Sequence, residues 1–291
     1  MAQCSQRFHF ELTPHWRITL ATKPGLIRLF FYLGGPLRYG PGVATLFRSS
    51  MSSISFIIPA YNEARLLGST LRAIDTAARA LRLPFELIVV DDASLDRTAE
   101  VARAHGARVV AVSFRQIAAT RNAGARAAAG EWLFFVDADT IISEAVLREA
   151  VAALSAGAVG GGCVVRFDGR VPRYGRVLIA LFLPVYLALG LAAGCFLFCT
   201  RQAFDAVGGF DERLFAAEEA VLSRALRRIG RFVLLREKVV TSARKLRAHS
   251  GTEVLSTLLR LAVSGPKAVR RREGLELWYG ERRVDPESPD G

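Results

Sequence analysis

Sulfur and imidazole are scarce in this sequence: its 291 residues contain four cysteines, four histidines and two methionines. The cysteines, Cys4, Cys163, Cys195 and Cys199, form no C-x-x-C pair, which argues against a zinc or redox motif. Four in a chain of this length do not make a disulfide framework either, so a reducing, cytoplasmic setting is the simpler reading. Two glycine loops that grip phosphates are also missing. There is no G-x-x-x-x-G-K-[ST], and no G-x-G-x-x-G follows the first strand. P-loop hydrolases and dinucleotide-dependent dehydrogenases thereby lose their main supports. Acidic side chains are outnumbered, 27 against 39 Lys and Arg, for a net charge of +12. Such a surface suits anionic partners. No helix-turn-helix, zinc or RNA-recognition signature accompanies it, so nucleic acid is not expected.

Apolar residues are plentiful: 51% of the sequence is hydrophobic and 23% charged. This excludes a disordered or fibrous chain and allows a sizeable core. The mean hydropathy of +0.26 brings membrane contact into consideration. Residues 1–50 read as a separate N-terminal extension with little structure. They carry six basic residues (Arg7, Arg17, Lys23, Arg28, Arg38, Arg48) against Glu11 alone, and Gly-Pro pairs break any long element. A well-patterned region starts just after Met51, which reads as a natural start. A basic arm lying on a membrane surface is the alternative reading of 1–50.

From Ile54 strands and helices alternate. Apolar runs at 55–58, 85–90, 108–112 and 132–136 predict strands, and helical spacing predicts helices over 63–82, 97–105, 117–129 and 143–154. Continuous apolar strands between amphipathic helices predict an α/β domain over 51–245, with a mostly parallel central sheet flanked by helices. Such sheets bind ligands beyond the carboxyl ends of their strands. Polar motifs collect there: Pro59-Ala60-Tyr61-Asn62-Glu63, Asp91-Asp92-Ala93-Ser94 and Asp137-Ala138-Asp139. Each alone has a structural explanation, such as Asn62 capping the next helix. Three on one sheet edge point to a site. Asp137 and Asp139 repel unless a cation separates them, and carboxylate oxygens suit Mg²⁺ or Mn²⁺, which also bind phosphates. The pair therefore points to a diphosphate bridged by a divalent metal.

These motifs, with Arg121-Asn122-Ala123-Gly124, Gly208-Gly209-Phe210-Asp211-Glu212, Glu218-Glu219 and Val240-Thr241-Ser242-Ala243-Arg244, resemble the successive motifs of family 2 glycosyltransferases over about residues 54–240. The resemblance implies a GT-A fold with a Rossmann-like nucleotide-binding half, and a sugar transfer from a UDP- or GDP-sugar with inversion. It implies that Pro59, Ala60 and Tyr61 contact the base, Tyr61 by stacking, with Glu63 in the same loop. Asp91 or Asp92 would accept a hydrogen bond from base or ribose, and Arg121 would lie near the nucleotide. Asp137 would face ribose and metal, and Asp139 would be the main metal ligand. The family usually carries Glu-Asp where this chain has Glu218-Glu219, so the resemblance assigns Glu219, with Glu218 beside it, as the catalytic base.

The 23 residues from Val177 to Cys199 carry no charge, long enough to span a bilayer. A single span would separate Asp139 from Glu219. The division expected instead is a helix near 177–190, in the core or dipping into the membrane surface, and a core strand at 194–200. Residues 246–291 form a basic C-terminal region with a predicted amphipathic helix bearing Val254, Leu255, Leu258, Leu259 and Ala262. Eight basic residues against Glu253 over 244–272 suit an anionic membrane. Trp278 and Tyr279 fit an interface, and 281–291 read as disordered. The acceptor is thus expected to be a lipid, polyprenyl phosphate or glycan, with the protein peripheral on the cytoplasmic face. The alternatives are a non-catalytic nucleotide-sugar or membrane-binding module, and a sugar-phosphate nucleotidyltransferase, whose Gly-rich loop with Arg or Lys is replaced here by Pro59-Ala60-Tyr61-Asn62-Glu63.

Overall fold

A computed structural model describes residues 7–13, 16–23, 26–28, 53–188, 190–264, 269–280, 283 and 285. Met51 and most of 281–291 lie outside them. The chain divides into two compact units, Met1–Ser49 and Ser50–Gly291. In the first, where the sequence predicts little regular structure, β1 (Arg7–Thr13), β2 (Trp16–Lys23) and β3 (Leu26–Arg28) form a three-stranded antiparallel sheet.

The second unit is built on an eight-stranded sheet. Its first half is the predicted alternation: β4 (Ile54–Ala60), α1 (Ala64–Ala80), β5 (Phe85–Asp92), α2 (Thr98–Ala104), β6 (Arg108–Val112), α3 (Ile117–Ala127), β7 (Trp132–Val136), β8 (Thr140–Ile141) and α4 (Glu144–Ser155). The second half contains β9 (Gly160–Phe167), α5 (Arg173–Ala188), β10 (Phe196–Thr200), α6 (Arg201–Ala206), α7 (Glu218–Ile229), β11 (Phe232–Thr241), α8 (Arg244–Ala248), α9 (Gly251–Ser264) and α10 (Glu276–Tyr279). The strand order is β6-β5-β4-β7-β10-β9-β11-β8. The β6-β5-β4-β7 half is parallel, whereas β10 runs antiparallel to both β7 and β9.

Alternation along the strands explains why both sheet faces are covered. Successive side chains point to opposite faces. Phe56, Ile58, Phe134 and Phe196 pack with Leu67, Leu71 and Ile74 of α1 and Val146 and Leu147 of α4. Ile57, Leu133, Phe135 and Leu197 pack on the other face with α3, Phe204, Phe210, Leu222 and Leu226. A Cβ on Gly124 would lie 2.3 Å from Ile57 Cγ2, so this α3 glycine lets the helix sit directly on β4 and β5. Gly160, Gly161 and Gly162 of β9 are similarly pressed. A Cβ at any of them would come within 2.7 Å of a neighbouring atom, from Phe198, Val233 or Ala192 respectively.

The uncharged run 177–199 does not form one span. It contributes most of α5, which contains Pro184, and then β10, whose Phe196 pairs with Val136 of β7. Among the described residues no helix is long and apolar enough to cross a membrane. The chain downstream of α5 thus re-enters the same sheet.

Candidate active site

The parallel strands β4, β5 and β7 end beside one cleft of about 320 Å³. Two of their loops are tied to each other. Asn62 N–H donates to Ser94 Oγ (2.9 Å), and Leu95 N–H donates to Asn62 Oδ1 (2.7 Å). Asn62 therefore bridges to the β5 loop rather than capping α1. Glu63 N–H donates to Thr98 Oγ1 at 2.8 Å. The turn after β7 is held from behind: buried Thr70 of α1 donates to Ala138 O at 2.9 Å, and Thr140 Oγ1 lies 3.0 Å from Thr241 Oγ1.

Backbone strain collects here. Among the described residues five non-glycine residues have a left-handed φ, and four of them, Asn62 (52°), Ala93 (59°), Arg115 (50°) and Ala217 (62°), lie in the strand-end loops or line the cleft. Such conformations cost free energy and persist where the surroundings impose them.

Pro59, Ala60, Tyr61, Glu63, Asp92, Arg121, Asp137, Asp139, Glu218 and Glu219 all line the cleft, so eighty positions of sequence separation between Asp139 and Glu219 collapse into one site. Arg121, on α3 and only 3% exposed at its side chain, makes the connection. Its guanidinium donates to Glu218 Oε1 (2.8 Å), Asp137 Oδ1 (2.9 Å) and Gly194 O (2.8 Å). Burial alone would lower its pKa, but the Asp137 and Glu218 carboxylates more than offset this and hold it raised. Glu218 is thereby committed to Arg121. Glu219 is left half-buried against Gly194, where a Cβ would lie 3.3 Å from the Glu219 Cγ. Burial, then the neighbouring Glu218 charge, push the Glu219 carboxyl up to about 8.

Asp91 and Asp92, one of which was expected to accept a hydrogen bond from base or ribose, both accept hydrogen bonds from the protein itself. Asp92, 5% exposed, accepts from Phe114 N–H (2.7 Å), Arg115 N–H (2.8 Å), Gln116 N–H (3.2 Å) and Thr120 Oγ1 (2.8 Å). Four donors fill a carboxylate's capacity, so Asp92 anchors the start of α3 at the edge of the cleft. Asp91 does not belong to the described cleft lining, and its Oδ1 accepts from Ser94 N–H at 3.2 Å. The Tyr61 ring is stacked by Arg115, whose Cζ lies 3.4 Å from the ring centroid. Glu63 is ion-paired with Arg244.

Asp139 Oδ2 lies 3.2 Å from Arg244, and its Oδ1 accepts from Thr241 Oγ1 at 3.3 Å. Among the described residues no three His, Cys, Asp or Glu side chains are arranged around a metal position. The protein thus offers two carboxylates. Asp137 is about a third exposed at its side chain, at 32%, and one of its oxygens is engaged by Arg121. An all-oxygen set of two carboxylates, completed by phosphate and water, fits Mg²⁺ or Mn²⁺.

Sequence reasoning missed several residues that line the cleft. Arg115, Gln116, Gly194, Phe215, Lys245, Trp278 and Tyr279 line it. Trp278 and Tyr279 were expected at a membrane interface. Both line the cleft: Trp278 is 38% exposed, and Tyr279 meets Phe215 edge-on at 5.7 Å. The only sequence signal was an aromatic pair after a basic stretch.

Comparison with solved structures places the fold among GT-A glycosyltransferases. A mannosyltransferase from Pyrobaculum calidifontis, solved with GDP-Man and Mn²⁺, superposes with a TM-score of 0.55 at 22% identity, over 78% of this chain and 71% of that one. The chain belongs to glycosyl transferase family 2, whose family model matches residues 55–208. A validoxylamine A glucosyltransferase of Streptomyces hygroscopicus subsp. jinggangensis is 33% identical over 133 residues, 43% of this chain and 31% of that protein. An undecaprenyl-phosphate 4-deoxy-4-formamido-L-arabinose transferase of Pseudomonas paraeruginosa is 39% identical over 94 residues, 30% of this chain and 27% of its own length. The chain thus spans about a third of the curated relatives it matches first. Glu218, Glu219 and the aromatic wall fall outside the family match.

Proposed function

We propose that this chain transfers a glycosyl group, with inversion, from a UDP- or GDP-sugar to a lipid-borne, polyprenyl phosphate or glycan acceptor. The observation that carries this reading is the Arg121 bridge, which holds Asp137 and Glu218 to one guanidinium and so keeps the acid turn and the glutamate pair in one cleft. The acceptor oxygen attacks the anomeric carbon while the bond to the β-phosphate oxygen breaks, and its electron pair leaves with the nucleoside diphosphate. Glu219, which lines the cleft beside Gly194, takes the acceptor proton in its ionised form. An acceptor that is already a phosphate anion has no proton to give, which tolerates Glu in place of the family's usual Asp. Asp137 and Asp139 would hold a divalent cation, which when bound supplies charge compensation for the leaving diphosphate. Pro59, Ala60 and the Tyr61 ring would receive the base.

The polyprenyl phosphate reading draws on the named activity of the undecaprenyl-phosphate relative. Association with the cytoplasmic face of an anionic membrane belongs to the same reading. Exposed Val177 (58%) and Leu181 (63%) lie one turn apart on α5, after exposed Arg173 and Arg176, and Leu255 and Leu259 are exposed on α9. A basic rim on an apolar helix face suits anionic headgroups. The test is donor turnover with UDP- and GDP-sugars plus Mn²⁺, alone and with polyprenyl phosphate in anionic vesicles. Metal-dependent turnover lost in Asp139→Asn is the expected result. Donor binding without turnover across acceptors would reverse the assignment in favour of a binding module.

A further inference from the structure

Arg244 has no part in the chemistry above, yet it sits against it. It opens α8 directly after β11 and reaches back to two carboxylates from different strand ends, Glu63 and Asp139. All three side chains are largely buried, at 17%, 5% and 12% exposure. Its buried Nε finds no hydrogen-bond partner among the described residues. Arg121, the other guanidinium in this part of the cleft, is already committed to Asp137, Glu218 and Gly194. Arg244, bonded to carboxylates that belong to two different strand ends, lines the same cleft with its Nε donor unused.

We propose that Arg244 is a resident countercharge that is handed from Asp139 to the nucleotide diphosphate. In the donor-free protein it keeps Asp139 and Glu63 paired, where two close carboxylates would otherwise repel. When donor and divalent cation bind, Asp139 turns to the cation, and Arg244, still anchored on Glu63, presents its remaining N–H groups to the diphosphate. A further negative charge develops on the β-phosphate oxygen as the glycosyl bond breaks, and a preorganised guanidinium is worth most where charge appears. Arg244 thereby acts as a positioning residue towards the metal and as a direct contact of the leaving group. The inference rests on reading Asp139 as the cation ligand.

The test measures binding rather than turnover, on the full chain. Mn²⁺ affinity without nucleotide is read by electron paramagnetic resonance, and UDP or GDP affinity at saturating Mn²⁺ by calorimetry. Arg244→Gln should bind Mn²⁺ alone more tightly and bind the nucleotide about tenfold more weakly, the scale of one charge-assisted hydrogen bond. Arg244→Lys keeps the charge but not the fork, so its Mn²⁺ affinity should stay near wild type while nucleotide binding weakens. Nucleotide affinity unchanged in both variants, or Mn²⁺ binding weakened in Arg244→Gln, overturns the proposal. If Arg244→Gln does not fold, unchanged nucleotide binding in Arg244→Lys overturns it alone. Wild-type protein that binds neither Mn²⁺ nor either nucleotide defeats the functional reading itself, a distinguishable outcome.

Discussion

The two walls of the cleft are made in different ways. The wall formed by β4, β5 and β7 comes from three consecutive strand ends, cross-linked by short backbone-to-side-chain bonds such as Asn62 to Ser94 and Leu95 to Asn62. The opposite wall is gathered from residue 194, residues 215–219, residues 244–245 and residues 278–279, held by long-range contacts such as Arg121 to Glu218 and Phe215 N–H to Val269 O. The first wall is specified locally and the second only by the finished fold. Substitutions in the first should therefore act within one loop, whereas substitutions at the joint should disturb both.

The joint itself should give the largest effect. Arg121→Met leaves Glu218 buried without its partner and Asp137 without its cation. Removing one member of a buried ionic network costs about 3–5 kcal/mol. Chemical denaturation should show that loss together with loss of turnover, and a near-neutral stability would mean the walls are held elsewhere. Glu219→Gln comes next. It should cut turnover by about 10²–10⁴-fold while leaving donor affinity near wild type. Glu219 also predicts a pH signature. The folded protein keeps its proton up to about 8, whereas the ordinary value is 4.5. Between those values the folded state binds the extra proton, so the stability contribution of this group falls as pH rises. Melting temperatures of wild type and Glu219→Gln should agree near pH 4.5 and diverge in favour of the variant towards pH 8; parallel curves would contradict the assigned environment.

Asp92→Asn tests the local wall alone. It removes acceptor capacity from a buried group with four donors, a loss of about 1–3 kcal/mol. Hydrogen exchange should rise at residues 114–120 and stay unchanged at 215–219. Arg115→Ala should have the smallest effect. It removes the cation over Tyr61, worth about 0.5–1 kcal/mol at a partly exposed ring. Nucleotide affinity should weaken by no more than about fivefold, and a larger change would make Arg115 a direct ligand contact.

This contrast also explains what the sequence disclosed. The strands at 85–92 and 132–136 follow from continuous apolar runs, since both of their faces are buried, and the helix at 144–155 from the helical spacing of its one buried face. The acid turn was legible because two carboxylates after a buried strand demand a cation or a counter-ion. β9 and β11 carried no readable signal. The first opens with three glycines, and the second breaks register between Leu235 and Lys238, so neither shows sustained alternation. Asp92 has the type and place of a ligand contact, and only the folded loop supplies the four donors that hold it. The pairing of Glu63 with Arg244 spans 181 positions and leaves no local trace.

The crowded β9 strand has a consequence for anyone mapping this gene by saturation mutagenesis. Gly160, Gly161 and Gly162 each have a neighbouring atom where a side chain would begin. Every substitution there should score as damaging although none of the three lines the cleft. A map that equates intolerance with chemistry would mark a second hot region on the far side of β10, and only soluble yield, measured beside turnover, would reveal that those positions are about fitting three strands together.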